Sequence, residues 1–464
     1  MATLRLTLYG GAESVTGSSF LVEHTETGGT LLIDCGIEQG KDYSEQRAYA
    51  DFPFDPKSLD ALVITHAHLD HVGRAPRLVR EGFKGKVYMT PPTRDLAEEI
   101  LRDSADILKR NAHDHGLPPL YEEQDVNAFL SLIEPLEYRV ERDLGSGLSL
   151  YLRDTGHILG SASVRVKAED GTALAVTSDI GNSPALLLPD AEPIPDADVV
   201  LMESVYGDRA NPEKAHRTKK LETTLRAAIK KGGAILLPSF SIERTQLMLY
   251  EIGELMDTGK IPKTPVFLDS PLAIRVTDIY RTWGGTYFNK EAREEAKDHD
   301  IFRFPFLKTT LSREESDSIR AEGNPKIIIA GAGMSHGGRI GKWEHIYLPD
   351  PKTTLIMVGY QAPGSPGRRL QDGARTVRLD GREVRVRAKI ETLYGWSGHA
   401  DRDGLLSFAQ SCLPRTKTFI VGIGEPSSAR FLAQRIHGYL GTNAIVPMEG
   451  QSFLITKDGA TFES

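Results

Sequence analysis

The chain has 464 residues, of which 40% are hydrophobic and 26% charged, with a formal charge of −8. That length exceeds what one compact core organises, so two or three domains are expected, and the composition is that of a soluble globular chain, neither disordered nor membranous. The acidic balance excludes a broad basic surface of the kind that holds nucleic acid non-specifically, so cations and a local basic cleft would have to do that work.

No apolar run approaches the length of a membrane span, and no signal peptide is visible at the start. Two cysteines, Cys35 and Cys412, leave no disulfide framework, which fits a reducing cytoplasm. No internal repeat and no low-complexity tract is seen.

From residue 4 to about 203 short strand-like runs dominate: 4–9, 18–23, 30–33, 61–65, 86–89, 148–152, 163–166 and 173–177. Many strands with few long helices before residue 95 predict two packed sheets. Asp34 closes the run Leu31, Leu32, Ile33, where a carboxylate either starts a turn or belongs to a site. The apolar run 61–64 ends in Thr65 and then gives His66, His68, Asp70 and His71 within six residues. Core packing does not explain four metal-binding side chains at that density. Residues two apart in an extended segment point the same way, so His66 and His68 can grip one ion while Asp70 and His71 face a second position. Imidazole with carboxylate suits Zn²⁺ or a similar metal with a coordination position left for water.

The segment 93–115 reads as a helix with one charged face, and His113 and His115 on it are expected to be solvated. Two further strand ends carry His157, after Asp154, and Asp179, after Ser178. Sheet packing can bring such termini to one edge, where His157 and Asp179 would complete a binuclear set with Asp179 as the bridge.

From about 206 to 375 apolar strands alternate with helical segments, as in 233–238, 265–269, 326–330 and 354–359 with helices over 218–231 and 244–256. This predicts a parallel sheet flanked by helices, hence a separate domain whose ligands sit beyond the strand C-termini. Those ends carry Ser239 and Arg244, Asp269 and Ser270, Ser335 and Arg339 in a Gly-rich stretch, and Arg368 after Gly364. Small residues allow close backbone approach and arginines supply charge, which suits phosphate. From about 377 the chain returns to short strands, then gives Ser397, Gly398, His399 and Ala400, a strand at 418–421, and a helix-like tail with an exposed His437.

Taken together these residues resemble the metallo-β-lactamase superfamily and, within it, the β-CASP branch of RNA- and DNA-processing nucleases. The resemblance spans essentially the whole chain and is nearest to the bacterial and archaeal relatives of the endonuclease subunit of the cleavage and polyadenylation specificity factor. It implies an αββα sandwich, residues 1–205 and 376–464, with an inserted α/β β-CASP domain at 206–375. By its motifs the metal ligands are His66, His68, Asp70, His71, His157 and Asp179. Asp34 becomes a residue that holds the histidine loop, and Glu203 and His399 become a paired acid and orienting group for the leaving oxygen. Ser239, Arg244, Ser335, Arg339, Arg368 and Ser397 are the implied substrate contacts.

One position departs from the pattern. The family carries a further ligand His after the last strand, where this chain has Ile423, between Gly422 and Gly424. Ile binds no metal, so one Zn²⁺ is expected to be firmly held and a second to be labile, with Mn²⁺ or Fe²⁺ as other occupants. The implied activity is hydrolysis of single-stranded RNA by a metal-bound hydroxide, with the native assembly open to a homodimer. Two other readings compete. A catalytically weak or inactive RNA-binding subunit is favoured by Ile423, and a small-molecule metallohydrolase leaves the inserted domain unexplained.

Overall fold

The structure is a computed structural model, and it describes residues 3–38, 48–115, 118–211, 216–359, 361–362 and 364–463. The chain divides into two compact units, Met1–Ala210 with His399–Ser464, and Asn211–Gly398. Among the described residues no helix is long and apolar enough to cross a membrane. The side chains of His113 and His115 lie outside the described residues.

The first unit holds two sheets. One runs in the order Gly459–Glu463, Ser452–Thr456, Leu4–Gly10, Ser19–His24, Thr30–Ile33, Ala61–Val63, Lys86–Met89 and Ile133–Pro135. It is antiparallel on the side of the chain termini and parallel from Thr30–Ile33 onward. The other runs Asn443–Ile445, Thr418–Val421, Val199–Met202, Ala173–Val176, Ala162–Ala168, Leu148–Asp154 and Arg142–Gly145. Its first four strands are parallel. Leu6, Phe20, Val22 and Ile33 of one sheet meet Leu150, Val164, Val176 and Leu201 of the other in a shared apolar core.

Alternation along the strands sends the remaining apolar residues outward, which is why each sheet also needs a helical cover. Ala175, Val200, Met202 and Phe419 pack under Leu405 and Phe408 of helix Arg402–Ser411 and Leu432 of helix Pro426–Arg435. Leu32, Leu62 and Val87 are fully buried on the far face of the first sheet, on the side of helices Pro91–His115 and Glu123–Ser131. The result is the expected αββα sandwich. The tail is helical over Pro426–Arg435 and on through Ile436–Leu440, with His437 exposed as expected. Beyond it the chain adds an unexpected hairpin to the first sheet, with Leu4 opposite Ile455 and Leu6 opposite Phe453. Ser452–Thr456 alternates buried and half-buried residues, the pattern of a strand with one face in the core.

The second unit is built on one parallel sheet in the order Leu307–Thr309, Val266–Leu268, Lys326–Ala330, Ala234–Pro238, Thr354–Val358 and Lys389–Leu393. Leu236, Ile328 and Leu355 pack against Ile340, Trp343 and Leu348. Side-chain caps start its helices: Ser270 receives the amide of Ala273, and Ser365 that of Arg368, each with Pro in the first turn, where a missing N–H costs nothing. The boundary expected at 375/376 lies at 398/399 instead. The segment 389–393, expected in the returning sandwich, pairs in parallel with Thr354–Val358 and so belongs to the inserted sheet.

Candidate metal centre

Parallel strands present their C-terminal ends at one edge of a sheet, and in the first unit these ends carry the chemistry. Asp34 follows Thr30–Ile33, His66 follows Ala61–Val63, Asp179 follows Ala173–Val176, and Glu203 follows Val199–Met202. His157 comes three residues after the antiparallel strand Leu148–Asp154.

The histidine loop is held from behind. Asp34, fully buried and in the left-handed region at φ 61°, accepts from Thr65 N at 2.8 Å, from the Thr65 hydroxyl at 2.8 Å and from His71 Nδ1 at 2.7 Å. With Nδ1 donating to Asp34, His71 keeps its lone pair on Nε2. The Thr65 hydroxyl also lies 2.7 Å from Ser178 Oγ and 3.2 Å from His66 Nδ1, which turns His66 Nε2 toward the site.

His66 Nε2 is 3.1 Å from His68 Nδ1, and His157 Nε2 is 3.3 Å from the same atom. Two nitrogens on one tetrahedral Zn²⁺ stand about 3.3 Å apart, given bonds of about 2.0–2.1 Å, so this spacing fits shared coordination. Asp179 Oδ2 closes the group, 3.5 Å from His66 Nε2 and 3.3 Å from His157 Nε2. These four residues offer donor atoms that all lie within 4.8 Å of one another. The other oxygen, Oδ1, lies 3.6 Å from His71 Nε2, which is itself 3.9 Å from Asp70 Oδ2. Both Asp179 Oδ1 and His71 Nε2 are buried without a hydrogen-bond partner. Orphaned buried acceptors are costly unless something positive meets them, so the His66, His68, His157 and Asp179 donors fit a divalent cation, while the second oxygen of Asp179 faces His71 Nε2.

At His66 and His68 the electrostatics agree with ligation by neutral imidazole. Burial, reinforced by His71 and His68, holds His66 well below its ordinary value, and burial lowers His68 to about 4 against the pull of Asp70. Burial also lowers His71, but Asp179 and Asp34 outweigh it and carry the pKa to about 10. Burial raises Asp179 to about 7, opposed by His71 and His399. A cation among these carboxylates would reverse the balance at His71 and favour its neutral form.

On the flank, His399 Nδ1 lies 3.6 Å from Glu203 Oε2 and 3.9 Å from Asp179 Oδ2. Glu203 is fully buried, and its Oε1 accepts from the amide of Ile180. The His399 ring stands 4.6 Å from that of His157 and 6.1 Å from that of Tyr206. Ile423, by contrast, is fully buried in the core between the sheets, at φ 46°. Its side chain supplies hydrocarbon only.

The candidate substrate residues belong to the second unit, and several are committed to internal bonds. Ser239 and Ser335 are buried, the first accepting from Thr245 Oγ1 at 3.0 Å and the second donating to Glu344 at 2.5 Å. Arg339 donates to Asp269 at 2.7 Å and to the carbonyls of Thr310 and Leu311. Arg244 donates to the carbonyl of Val358, and Arg368 pairs with Asp372 at 3.0 Å. Ser397 is half-buried near the end of the unit. Sequence reasoning had not singled out the hydroxyls of Thr65 and Ser178. Thr65 is signalled only by preceding His66, and nothing in the sequence shows that Ser178 meets it.

The fold and donor set define a metallo-hydrolase of the metallo-β-lactamase type, and residues 14–166 match the model of the metallo-beta-lactamase superfamily. Residues 245–370 match the Beta-Casp domain and 383–447 the Zn-dependent metallo-hydrolase RNA specificity domain. The chain belongs to the β-CASP family of that superfamily. It is 38% identical over 408 residues to Ribonuclease TTHA0252 of Thermus thermophilus, covering 88% of this chain and 91% of that protein. It is 32% identical over 463 residues to the Transcription termination factor FttA of Thermococcus kodakarensis, covering 96% of this chain and 70% of that protein. A crystal structure of a protein of unknown function from Enterococcus faecalis shares the fold, with a TM-score of 0.57 at 13% identity over 98% of this chain and all of that one.

Proposed function

We propose that this chain is a metal-dependent ribonuclease that hydrolyses phosphodiester bonds in single-stranded RNA. The observation that carries the reading is the pair of oxygens on Asp179, one beside the His66, His68 and His157 donors and the other beside His71 and Asp70. Such a set suits an in-line displacement at a phosphate, and the inserted domain, which a small-molecule metallohydrolase leaves unexplained, favours a polymer as substrate. The similarity to a ribonuclease supports RNA as the polymer.

A divalent cation held there, Zn²⁺ with Mn²⁺ or Fe²⁺ as substitutes, supplies Lewis acidity that lowers the pKa of water and neutralises charge on the phosphoryl oxygens. Asp34 and Thr65 hold the imidazoles in their working tautomers. His399, braced by Glu203 through Nδ1, carries on Nε2 the proton given to the departing oxygen. Ser397, Arg244 and Arg368 are the remaining candidates for contact with the chain of phosphates. Position 423 supplies no ligand to the His71 and Asp70 side, so one cation is retained firmly and the other exchanges.

Ile423 also favours a second reading, in which the protein binds RNA as a weakly active or inactive subunit. End-labelled RNA incubated with and without chelator separates the two. Internal fragments that vanish with chelator are the expected result, and RNA left intact under every metal condition would sink the nuclease.

A further inference from the structure

The hairpin of Thr376–Leu379 and Arg382–Arg385 carries a concentration of positive charge that no internal contact accounts for. Five arginines, at 375, 378, 382, 385 and 387, fall in a stretch holding two acids, in a chain whose formal charge is −8. All five are exposed. Several surface arginines elsewhere pair with carboxylates: Arg5 with Glu463, Arg102 with Glu98, Arg281 with Asp300. None of the five has a carboxylate partner among the described residues, and Arg378 is engaged only through Nε with the carbonyl of Gly381. Of the two acids, Asp380 is turned to His345, at 4.0 Å, and Glu383 stands across the ladder from Arg378.

The mount is rigid. Val377, Leu379 and Val384 are buried in the core of the second unit, so the alternation of the pleat puts Arg378 and Arg385 on the solvent side. The amide of Val386 bonds to Arg375 and that of Arg387 to Leu348, which extends the held segment past the strand. Arg385 ends the strand and Arg387 lies two residues beyond it, both exposed, so two guanidinium groups follow closely in the chain, as suits neighbouring phosphates of a polynucleotide. Unpaired like charges on a fixed hairpin repel one another and persist at a cost unless an anion meets them.

We propose that this hairpin is a phosphate-backbone binding surface for single-stranded RNA, separate from the metal centre, that supplies affinity without reading sequence. It rests on the ribonuclease reading only for the identity of the polyanion. Guanidinium forks match phosphate oxygens bidentately.

The test uses the full chain and a fluorescent single-stranded oligoribonucleotide, with binding followed over a series of salt concentrations. Changing Arg375, Arg382, Arg385 and Arg387 together to Gln leaves Arg378 to hold its turn. The expected result is a Kd raised at least about tenfold and a salt slope, log K against log [salt], shallower by about 3, at roughly 0.7 per lost contact. The fourfold change to Lys should keep most of the slope, which a merely structural role would not explain. If the Gln protein fails to fold, R385E alone on the solvent face should still raise Kd and flatten the slope.

Unchanged Kd and slope would overturn the proposal, as would binding to phosphatidylserine vesicles in place of RNA, or an altered oligomeric state with RNA binding intact. RNA bound through the hairpin but never cleaved would sink the ribonuclease and leave the hairpin standing. RNA cleaved by the Gln protein with wild-type Kd would do the reverse.

Discussion

Asp34 Oδ2 lies 2.7 Å from His71 Nδ1, a buried bond between residues 37 apart in the sequence. It decides which nitrogen of His71 faces the site, and the same carboxylate also anchors Thr65. Carboxylates behind metal-bound imidazoles set ligand orientation and basicity. D34A should therefore lower metal affinity by about 10–100-fold, measured by competition with a chromogenic chelator. Affinity equal to the parent would show that Asp34 only shapes the turn.

The Thr65 hydroxyl is the junction between Asp34, Ser178 and His66. Replacing it by Val keeps the shape and leaves buried partners unmatched, at a cost of about 1–3 kcal/mol. T65V should lose that much stability in denaturant titration and should also bind Co²⁺ with an altered visible spectrum, while T65S restores both. A spectrum like the parent's in T65V would remove Thr65 from the support of His66.

Ile423 is a β-branched residue held at φ 46°, a region it adopts only under strain. I423H would place an imidazole at this backbone position. Metal retained after exhaustive dialysis should rise from about one ion per chain toward two. The same stoichiometry in both proteins would mean that position 423 does not govern the second cation.

Asp269 is fully buried and receives Arg339, Trp343 Nε1, Thr310 and Ser316. Removing it strands a guanidinium and an indole N–H, so D269A should destabilise the second unit by about 3–5 kcal/mol. Chemical denaturation followed by tryptophan fluorescence would reveal it. A loss below about 1 kcal/mol would show that Arg339 finds its partners elsewhere.

Two buried carboxyls in the same unit make stability depend on pH. Burial raises Glu243 to about 7 against the bond from Tyr280, and raises Glu344 to about 7 against the bond from Ser335. Between the ordinary value of 4.5 and about 7 the folded state binds more protons than the unfolded one, so stability falls as pH rises through that window. The doubly substituted E243Q/E344Q protein should show a flatter dependence of melting temperature on pH. A parent protein that gains stability between pH 5 and about 7 would contradict the sign.

The candidate donors His66 and Asp179 were legible as positions because each follows an apolar run, and parallel pairing sends such ends to one edge, whereas His157 reaches the same group from an antiparallel strand. The phosphate loops were misjudged in part for a related reason: Ser335 and Arg339 look like ligand residues in a Gly-rich stretch, but Glu344 and Asp269 already claim them. Similarly, 389–393 carried no local sign of which sheet it would join. Strand pairing is a long-range choice, and short runs are compatible with either partner.

By itself the sequence determined the two kinds of sheet, which side chains are available as donors and that position 423 carries hydrocarbon, because these are matters of residue type and local periodicity. Only the tertiary structure decided that Asp179 turns its two oxygens to different donors, that Thr65 and Ser178 stand behind His66, and that the arginines from 375 to 387 have no carboxylate partner among the described residues. Those facts depend on distances between residues far apart in the chain, and such distances are set by packing, which no local pattern encodes.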